Sequence, residues 1–467
     1  MNKGFRNLGE IMSSNEILRE VEYSSLAKSR VHNFKIKGSD SINLIVPPTV
    51  YPPRRDTELL LQGLNSIKLQ AGNLVEIGCG SGAISIAMAL SGWNVTAFDV
   101  NPLAVVATIG NSEVAGVEDY VTVKEGGVGE ENWKLPKDVD LVVWNLPYLV
   151  PNLENMLGPM EEAAMTDEAN LGWSEKLLHV ANDESEKDTM FVLLMNSDSN
   201  PKNSSLSWIK NGWSRRTLAI ERVGDDTLEV VAFWRPGFGS ESEYIEVTNS
   251  TMDEARKLPK FGWQRIRSGE QINGRGRRGA NWHSKQGDMI ASWSVGLDEI
   301  NRWTPGLLQV SIGASISEAL GIQLKWPNDL IFQQQKCGGI LLESSTSEER
   351  IRIGVGLNKD AREIEGVSYA GWEDYYGDIN VDDMFQIIDA SISSILDSSP
   401  PIENSSEILW QQKSWIKLSE ILSRGVITQY DEQTVNVVGL SNTGELNAIS
   451  ATSKHEIQDV GDFFIAF

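Results

Sequence analysis

The stretch N-L-V-E-I-G-C-G-S-G-A-I-S-I-A-M-A-L, Asn73 to Leu90, leaves this chain few architectures. Leu74 to Ile77 form an unbroken apolar run, the pattern of a strand buried on both faces. Gly78, Gly80 and Gly82 then make a turn that only glycine adopts freely, and an apolar helix starts at Ile84. Strand, glycine turn and helix in immediate succession belong to a parallel, doubly wound sheet that holds a nucleotide-like ligand at the turn.

The neighbouring runs supply the rest of such a sheet. Val95–Phe98 read as a second strand, ending in Asp99, 21 residues after Gly78. An acid at that place suits ribose hydroxyls, and NAD would satisfy it as well as any other nucleoside. Val139–Trp144 read as a further strand ending in Asn145-Leu146-Pro147-Tyr148. Met190–Met195 follow, then Thr217–Glu221 and Leu228–Trp234 as a last antiparallel pair. Upstream, paired prolines in P-P-T-V-Y-P-P-R-R-D-T-E-L-L-L (Pro47 to Leu61) force extended backbone, after which Asp56 or Thr57 can cap a helix through Leu59–Leu64. Residues 1–45 show little periodicity beyond a helix expected over 16–30. Trp208, Trp213 and Trp234 read as packing residues.

A second constellation begins after the glycine- and serine-containing stretch Arg235–Glu243, which reads as a linker. S-G-E-Q-I-N-G-R-G-R-R-G-A-N-W (Ser268 to Trp282) alternates glycine with Arg275, Arg277 and Arg278. Such a segment cannot pack as a core strand. It is either a loop that orders over an anionic ligand, a solvated basic turn or an RNA-contacting segment. K-W-P-N-D (Lys325 to Asp329) ends an apolar run in polar groups held by proline. K-C-G-G-I-L-L-E (Lys336 to Glu343) puts a lysine at the mouth of an apolar strand, and G-V-G-L-N (Gly354 to Asn358) closes the set. A linker at Asp397–Ser406 precedes a helix carrying Trp410 and Trp415. Short alternating strands follow at Val426–Tyr430, Val435–Leu440, Glu445–Ile449, Glu456–Val460 and Phe463–Phe467, the makings of a small barrel.

Composition excludes several function classes. The 467 residues allow two or three domains, and the net charge of −24 disfavours a large nucleic-acid footprint, so no DNA partner is expected. Cys79 and Cys337 sit in different halves, and with four histidines in the chain neither a disulfide nor a metal-ligand cluster is expected. No apolar run approaches the length of a membrane span and the N-terminus carries no signal pattern, so a cytoplasmic protein is expected.

Taken together, the G-R-G-R-R-G, K-W-P-N-D, K-C-G-G-I-L-L-E and G-V-G-L-N blocks resemble the catalytic domain of biotin–protein ligases, from about Tyr244 to the C-terminus. The resemblance implies that biotin and Mg-ATP form biotinyl-5'-AMP, and that a lysine of a biotin carboxyl carrier protein then takes the biotin. It implies biotin contacts from Ser250, Thr251, Gln271, Arg275, Arg277, Arg278 and Lys336. It implies a nucleotide side built from Arg277, Arg278, Trp326, Asn328, Asp329 and Asn358, with Lys336 and Arg277 steadying carboxylate and phosphate during adenylation. Magnesium would come with ATP rather than from a protein cluster. Ala280 stands where the family often has a further arginine. Lipoate as the alternative acid fits the G-R-G-R-R-G and K-W-P-N-D wording poorly.

Residues 45–235 resemble HemK-type S-adenosylmethionine-dependent methyltransferases, in the branch acting on the glutamine of class I release factors. The resemblance rests on V-Y-P-P-R-R-D-T-E-L-L, E-I-G-C-G-S-G and N-L-P-Y. It implies cofactor contacts from Glu76, Gly78, Gly80, Asp99 and Asn145, with Asn145 holding the substrate amide and Tyr148 stacking on it. Leu146 replaces the family's usual proline, and Lys124–Gly127 lacks its usual acid, for which Glu125 is a replacement. An adenine-N6 RNA methyltransferase and a non-catalytic binding module remain alternative readings of this half.

The expected fold is therefore α/β and α+β. An N-terminal extension (1–45) precedes a Rossmann-like seven-stranded methyltransferase sheet (46–235). A linker (236–243) leads to a class II synthetase-like ligase domain (244–420), and an SH3-like β-barrel ends the chain (421–467).

Overall fold

The structure, a computed structural model, describes residues 28–37, 40–48, 50–147, 172–197, 204–224, 226–345, 349–424, 426–460 and 463–466. The chain divides into two compact units, residues 1–205 with 217–232, and residues 206–216 with 233–467. Among the described residues no helix is long and apolar enough to cross a membrane.

The first unit is built on a seven-stranded sheet of order β5-β4-β3-β6-β7-β9-β8. Its strands are β3 (Asn73–Ile77), β4 (Asn94–Asp99), β5 (Val121–Glu125), β6 (Leu141–Asn145), β7 (Met190–Asn196), β8 (Ser214–Val223) and β9 (Asp226–Trp234). β5, β4, β3, β6 and β7 run parallel. Their apolar runs are covered on both faces: Val142, Val143, Phe191, Val192 and Leu193 are inaccessible to solvent. Parallel pairing brings the C-terminal ends of β3, β4 and β6 to one edge, where Glu76, Asp99 and Asn145 stand. Gly82, at φ +83°, starts the helix Ala83–Leu90, and a Cβ there would come within 2.9 Å of the Thr108 side chain.

The expected helix over 16–30 lies largely outside the described residues, and Arg30 instead opens strand β1 (Arg30–Lys37). β1 pairs antiparallel with β2 (Asp40–Val46), a hairpin that the sequence reading did not find. Phe34, Leu44 and Val46 are buried on it, at alternate positions along their strands. Asn111, on the helix Pro102–Ala115, staples it by accepting from Ile45 N (2.8 Å) and donating to Ile45 O (2.9 Å).

The second unit centres on a sheet of order β10-β11-β14-β18-β17-β16-β15. These are Glu243–Thr248, Gln264–Gln271, Met289–Gly296, Arg350–Leu357, Gln335–Ser345, Asp329–Phe332 and Gln323–Lys325 in that order, with β19 (Arg362–Ile364) and β20 (Val367–Tyr369) beside β17. Trp293, Ile353 and Val355 of the sheet pack in one core with Leu308 and Ile312 of the helix Pro305–Leu320 and Ile388 and Ile392 of the helix Val381–Leu396. Inside that core Asp389 accepts from Trp263 Nε1 and Trp293 Nε1 (both 2.8 Å) and from Arg265 Nε (2.7 Å). Trp208 and Trp213 are fully buried, as expected of packing residues, but belong to this second unit.

The expected linker at 236–243 is not an open tether over its first residues. Pro236–Gly239 form a tight turn with Gly237 and Phe238 at positive φ, whose Gly237 N donates to the buried Asp397 carboxylate (2.7 Å), and the Arg265 guanidinium holds Pro236 O and Ser240 O. After the helix Glu407–Leu422 the chain ends in two three-stranded antiparallel sheets. One joins β22 (Gln433–Thr434), β21 (Ile427–Tyr430) and β26 (Phe463–Ala466); the other joins β23 (Asn436–Leu440), β24 (Leu446–Ile449) and β25 (Lys454–Ile457). Val435, Leu446, Ile457 and Phe463 share a core with Trp326 and Leu418.

Candidate active sites

The first unit carries a cavity of about 330 Å³ at the C-terminal edge of its parallel strands, lined by Glu76, Gly78, Gly80, Asp99 and Asn145 among others. Its glycines hold the backbone open: Gly78 and Gly80 have φ of +69° and +55°. Asp99 buttresses that turn, accepting from Gly80 N and Asn101 N (both 2.9 Å). Burial pushes the Glu76 carboxyl up to about 8, so it is largely neutral at pH 7, in contact with the Ser85 hydroxyl. Buried carboxyls beside an open glycine turn fit the ribose and amino groups of S-adenosylmethionine.

Asn145 stands at the end of β6 with its Nδ2 donating to Asp56 Oδ2 (3.0 Å) and its Oδ1 buried without a partner. Asp56 or Thr57 was expected to cap the following helix. The helix runs Arg55–Ser66 with Arg54 at the N-cap position, Thr57 Oγ1 accepts from Arg54 N (3.3 Å), and Asp56 lines the cavity, where Tyr51 OH also reaches it (3.1 Å). Trp173 is a further lining residue that sequence reasoning missed, with Lys176 Nζ 4.0 Å from its ring centroid. Tyr148 lies outside the described residues. Glu125 is exposed and does not line the cavity; Gly126, Gly127 and Val128 do.

The second unit carries a cavity of about 420 Å³. It gathers Ser250, Thr251, Gln271, Arg275, Arg277, Arg278, Trp326, Asn328, Asp329 and Lys336, residues drawn from four separate sequence blocks. Antiparallel pairing explains the convergence. β11 ends at Gln271 and feeds the glycine–arginine loop, while β16 and β17 pair Asp329 with Gly339 and bring Lys336 beside Asp329. Gly356 is required on β18 because a Cβ there would lie 2.6 Å from the Trp282 indole.

In its lining, Gln271 Oε1 accepts from Thr251 N (2.8 Å) and Thr251 Oγ1 (3.1 Å), and the Ser250 hydroxyl is buried without a partner. The cations of the lining meet carboxylates of the same unit. Lys336 Nζ lies 2.6 Å from Asp329, Arg275 lies 2.9 Å from Asp253, and Arg277 (3.4 Å) and Arg278 both reach Asp459. Those arginines hold the Asp459 carboxyl below its usual range. Asn328 accepts from Arg277 (3.4 Å) and donates to Ile340 O (3.0 Å). Asn358 does not line the cavity: its amide bridges Arg362 and Ala370 O, bracing the chain after β18. Asp459, with Val460 and Phe463 of the cavity wall, comes from the end of the chain and carries no motif that would have announced it. Uncharged polar groups and a cluster of cations in one cavity fit a ligand that carries both polar and anionic groups.

The chain thus joins a methyltransferase-like region to a region of the biotin ligase type. Residues 55–174 match the Ribosomal protein L11 methyltransferase family, and residues 244–360 match the Biotin/lipoate A/B protein ligase family. In the ligase region the chain is 34% identical over 128 residues to a bifunctional ligase/repressor, BirA, of Bacillus subtilis, covering 25% of this chain and 39% of that one. In the methyltransferase region it is 37% identical over 103 residues to a release factor glutamine methyltransferase of Fusobacterium nucleatum, covering 21% of this chain and 28% of that one. The chain therefore spans well under half the length of these two relatives. A solved biotin protein ligase from Aquifex aeolicus, in complex with biotin and ATP, is 25% identical, with a TM-score of 0.41, covering 48% of this chain and 98% of that one.

Proposed function

We propose that this chain is a fused enzyme with two chemistries. The second unit is a biotin–protein ligase that makes biotinyl-5'-AMP from biotin and Mg-ATP and passes biotin to a lysine of a biotin carboxyl carrier protein. The first is an S-adenosylmethionine-dependent methyltransferase acting on the glutamine amide of a class I release factor. In fold terms these are a Rossmann-like domain over 46–235, a class II synthetase-like domain over 244–420 and an SH3-like barrel over 421–467.

The observation that carries the ligase reading is that one cavity gathers the orphaned Ser250 hydroxyl, Thr251 and Gln271 together with Lys336 and three arginines. A ureido ring finds its acceptor and donor among Ser250, Thr251 and Gln271. A carboxylate and a triphosphate repel each other, and fixed cations in a sheltered site remove that repulsion. Lys336 and Arg277 line the cavity and are the cations assigned to hold both anions, with Arg275 and Arg278 of the loop assigned to cover them and keep water from a labile anhydride. In the first unit the corresponding group is the Asn145 oxygen, a buried acceptor that can orient an amide N–H. S-adenosylmethionine supplies an electrophilic methyl group there.

The test supplies ATP, magnesium and labelled biotin with a biotin-carrier domain. Label on the carrier, lost on Arg277→Ala, is the expected result. No label from folded protein would overturn the ligase reading. Labelled S-adenosylmethionine with a class I release factor tests the other half, where methylated RNA in place of methylated protein would select the adenine reading.

A further inference from the structure

Asp56 is buried to 4% exposure, and its partners form a chain that ends in the cavity. Its Oδ1 accepts from Thr57 N (2.7 Å) and Thr57 Oγ1 (3.3 Å), and its Oδ2 accepts from Tyr51 OH (3.1 Å) and Asn145 Nδ2 (3.0 Å). A primary amide has two ends of nearly equal shape, and at an isolated asparagine either can face a ligand. A carboxylate removes the choice. It only accepts hydrogen bonds, so it takes the nitrogen end of Asn145, a residue of the cavity lining, and leaves the oxygen end as the one with no protein partner.

We propose that Asp56 is a positioning residue that locks the Asn145 amide with its oxygen toward the substrate, and so restricts the site to nucleophiles that bring an N–H donor. The proposal rests on the methyltransferase reading of this unit. An amide or amine nitrogen satisfies the orphaned oxygen and is held by it; a thiolate or a bare ring nitrogen meets a lone pair and is repelled. Tyr51 and Thr57 fill the other positions around the carboxylate, which keeps Asp56 from serving as a free acceptor itself. The transfer balances simply. The nitrogen lone pair forms the new N–C bond, the carbon–sulfur bond breaks with its electron pair remaining on sulfur, and the nitrogen proton leaves to water.

The test uses the full chain, labelled S-adenosylmethionine and a class I release factor, with Asp56→Asn, Asn145→Asp and the exchanged pair carrying both. Asp56→Asn lets the Asn145 amide turn its nitrogen to the substrate. Expected is a loss in kcat of about tenfold or more, with S-adenosylmethionine affinity within about twofold of the parent. In the exchanged pair, residue 145 is a carboxylate that accepts on both sides, and kcat recovers much of the loss. Accumulated damage to a merely structural site would make the double variant worse. An unchanged kcat in Asp56→Asn, or an exchanged pair no better than it, overturns the proposal. A parent protein that methylates nothing would count against the methyltransferase reading instead. In that event the side-chain amide signal of Asn145, in protein labelled with ¹⁵N-asparagine, still decides: it must shift on Asp56→Asn, and an unmoved signal overturns the proposal.

Discussion

Asp459→Asn isolates the electrostatic competition inside the ligase cavity. Arg277 and Arg278, which the proposed reaction needs for phosphate, both contact the Asp459 carboxylate. The pairs are partly open to water, with side-chain exposures of 27% and 53% for the arginines and 46% for the aspartate. Exposed pairs of this kind contribute about 0.2–1 kcal/mol each. Two of them therefore oppose ligand capture by about 0.4–2 kcal/mol, or about two- to thirtyfold in affinity. Asp459→Asn should lower the apparent KM for ATP in biotin-dependent pyrophosphate release by a factor in that range at low salt. The gain should shrink as ionic strength rises, because salt screens the competing pairs. Trypsin should cut faster after Arg277 and Arg278 in the ligand-free variant. A raised KM, or a gain that ignores salt, would refute the reasoning and make Asp459 a supporter of the loop rather than a rival for it.

Three further predictions follow from single side chains. Lys336→Ala should slow adenylate formation on the order of ten- to a hundredfold in single-turnover assays, the equivalent of one charge-assisted hydrogen bond. Because Glu76 is held from 4.5 up to about 8, the unfolded chain ionises first, and stability of the first unit should fall as pH rises across that window and level off above it. Glu76→Gln should flatten that slope in thermal melts and gain on the order of a few kcal/mol at pH 8. Asp389→Ala strands the Arg265 cation and two indole N–H groups in the core and should cost the second unit about 3–5 kcal/mol in denaturant titrations.

The residues that were legible in the sequence are those whose type is costly anywhere else. Glycines at positive φ after an apolar strand announce the parallel sheet, and alternating glycine and arginine cannot be core. The strand read at Met190–Met195 therefore differs from the structure by one residue. What escaped were residues whose meaning lies in a distant partner. Asp56 looks like an N-cap until Asn145, 89 residues away, supplies its hydrogen bond. Asp459 looks like a turn residue until the loop arginines reach it across 182 positions. Asn358 sits in a motif beside the cavity yet spends both ends of its amide on Arg362 and Ala370. The stretch at 236–240 has linker composition, and only the buried Asp397 and Arg265 turn it into packed structure. The β1–β2 hairpin escaped for a different reason: its alternation of Phe34 with Ile36, then Ile42, Leu44 and Val46, is short and lies in an otherwise polar stretch.

The most direct test of the account is a crossed pair of variants measured in both reactions on the intact chain. Asn145→Ala and Lys336→Ala are each assayed for methyl transfer to a class I release factor and for biotin transfer to a carrier domain. The account predicts that Asn145→Ala abolishes methyl transfer and leaves biotin transfer at the parent rate, while Lys336→Ala slows biotin transfer on the order of ten- to a hundredfold and leaves methyl transfer at the parent rate. Loss of both activities in either variant, or parent-level activity in the reaction a variant is meant to impair, would contradict it.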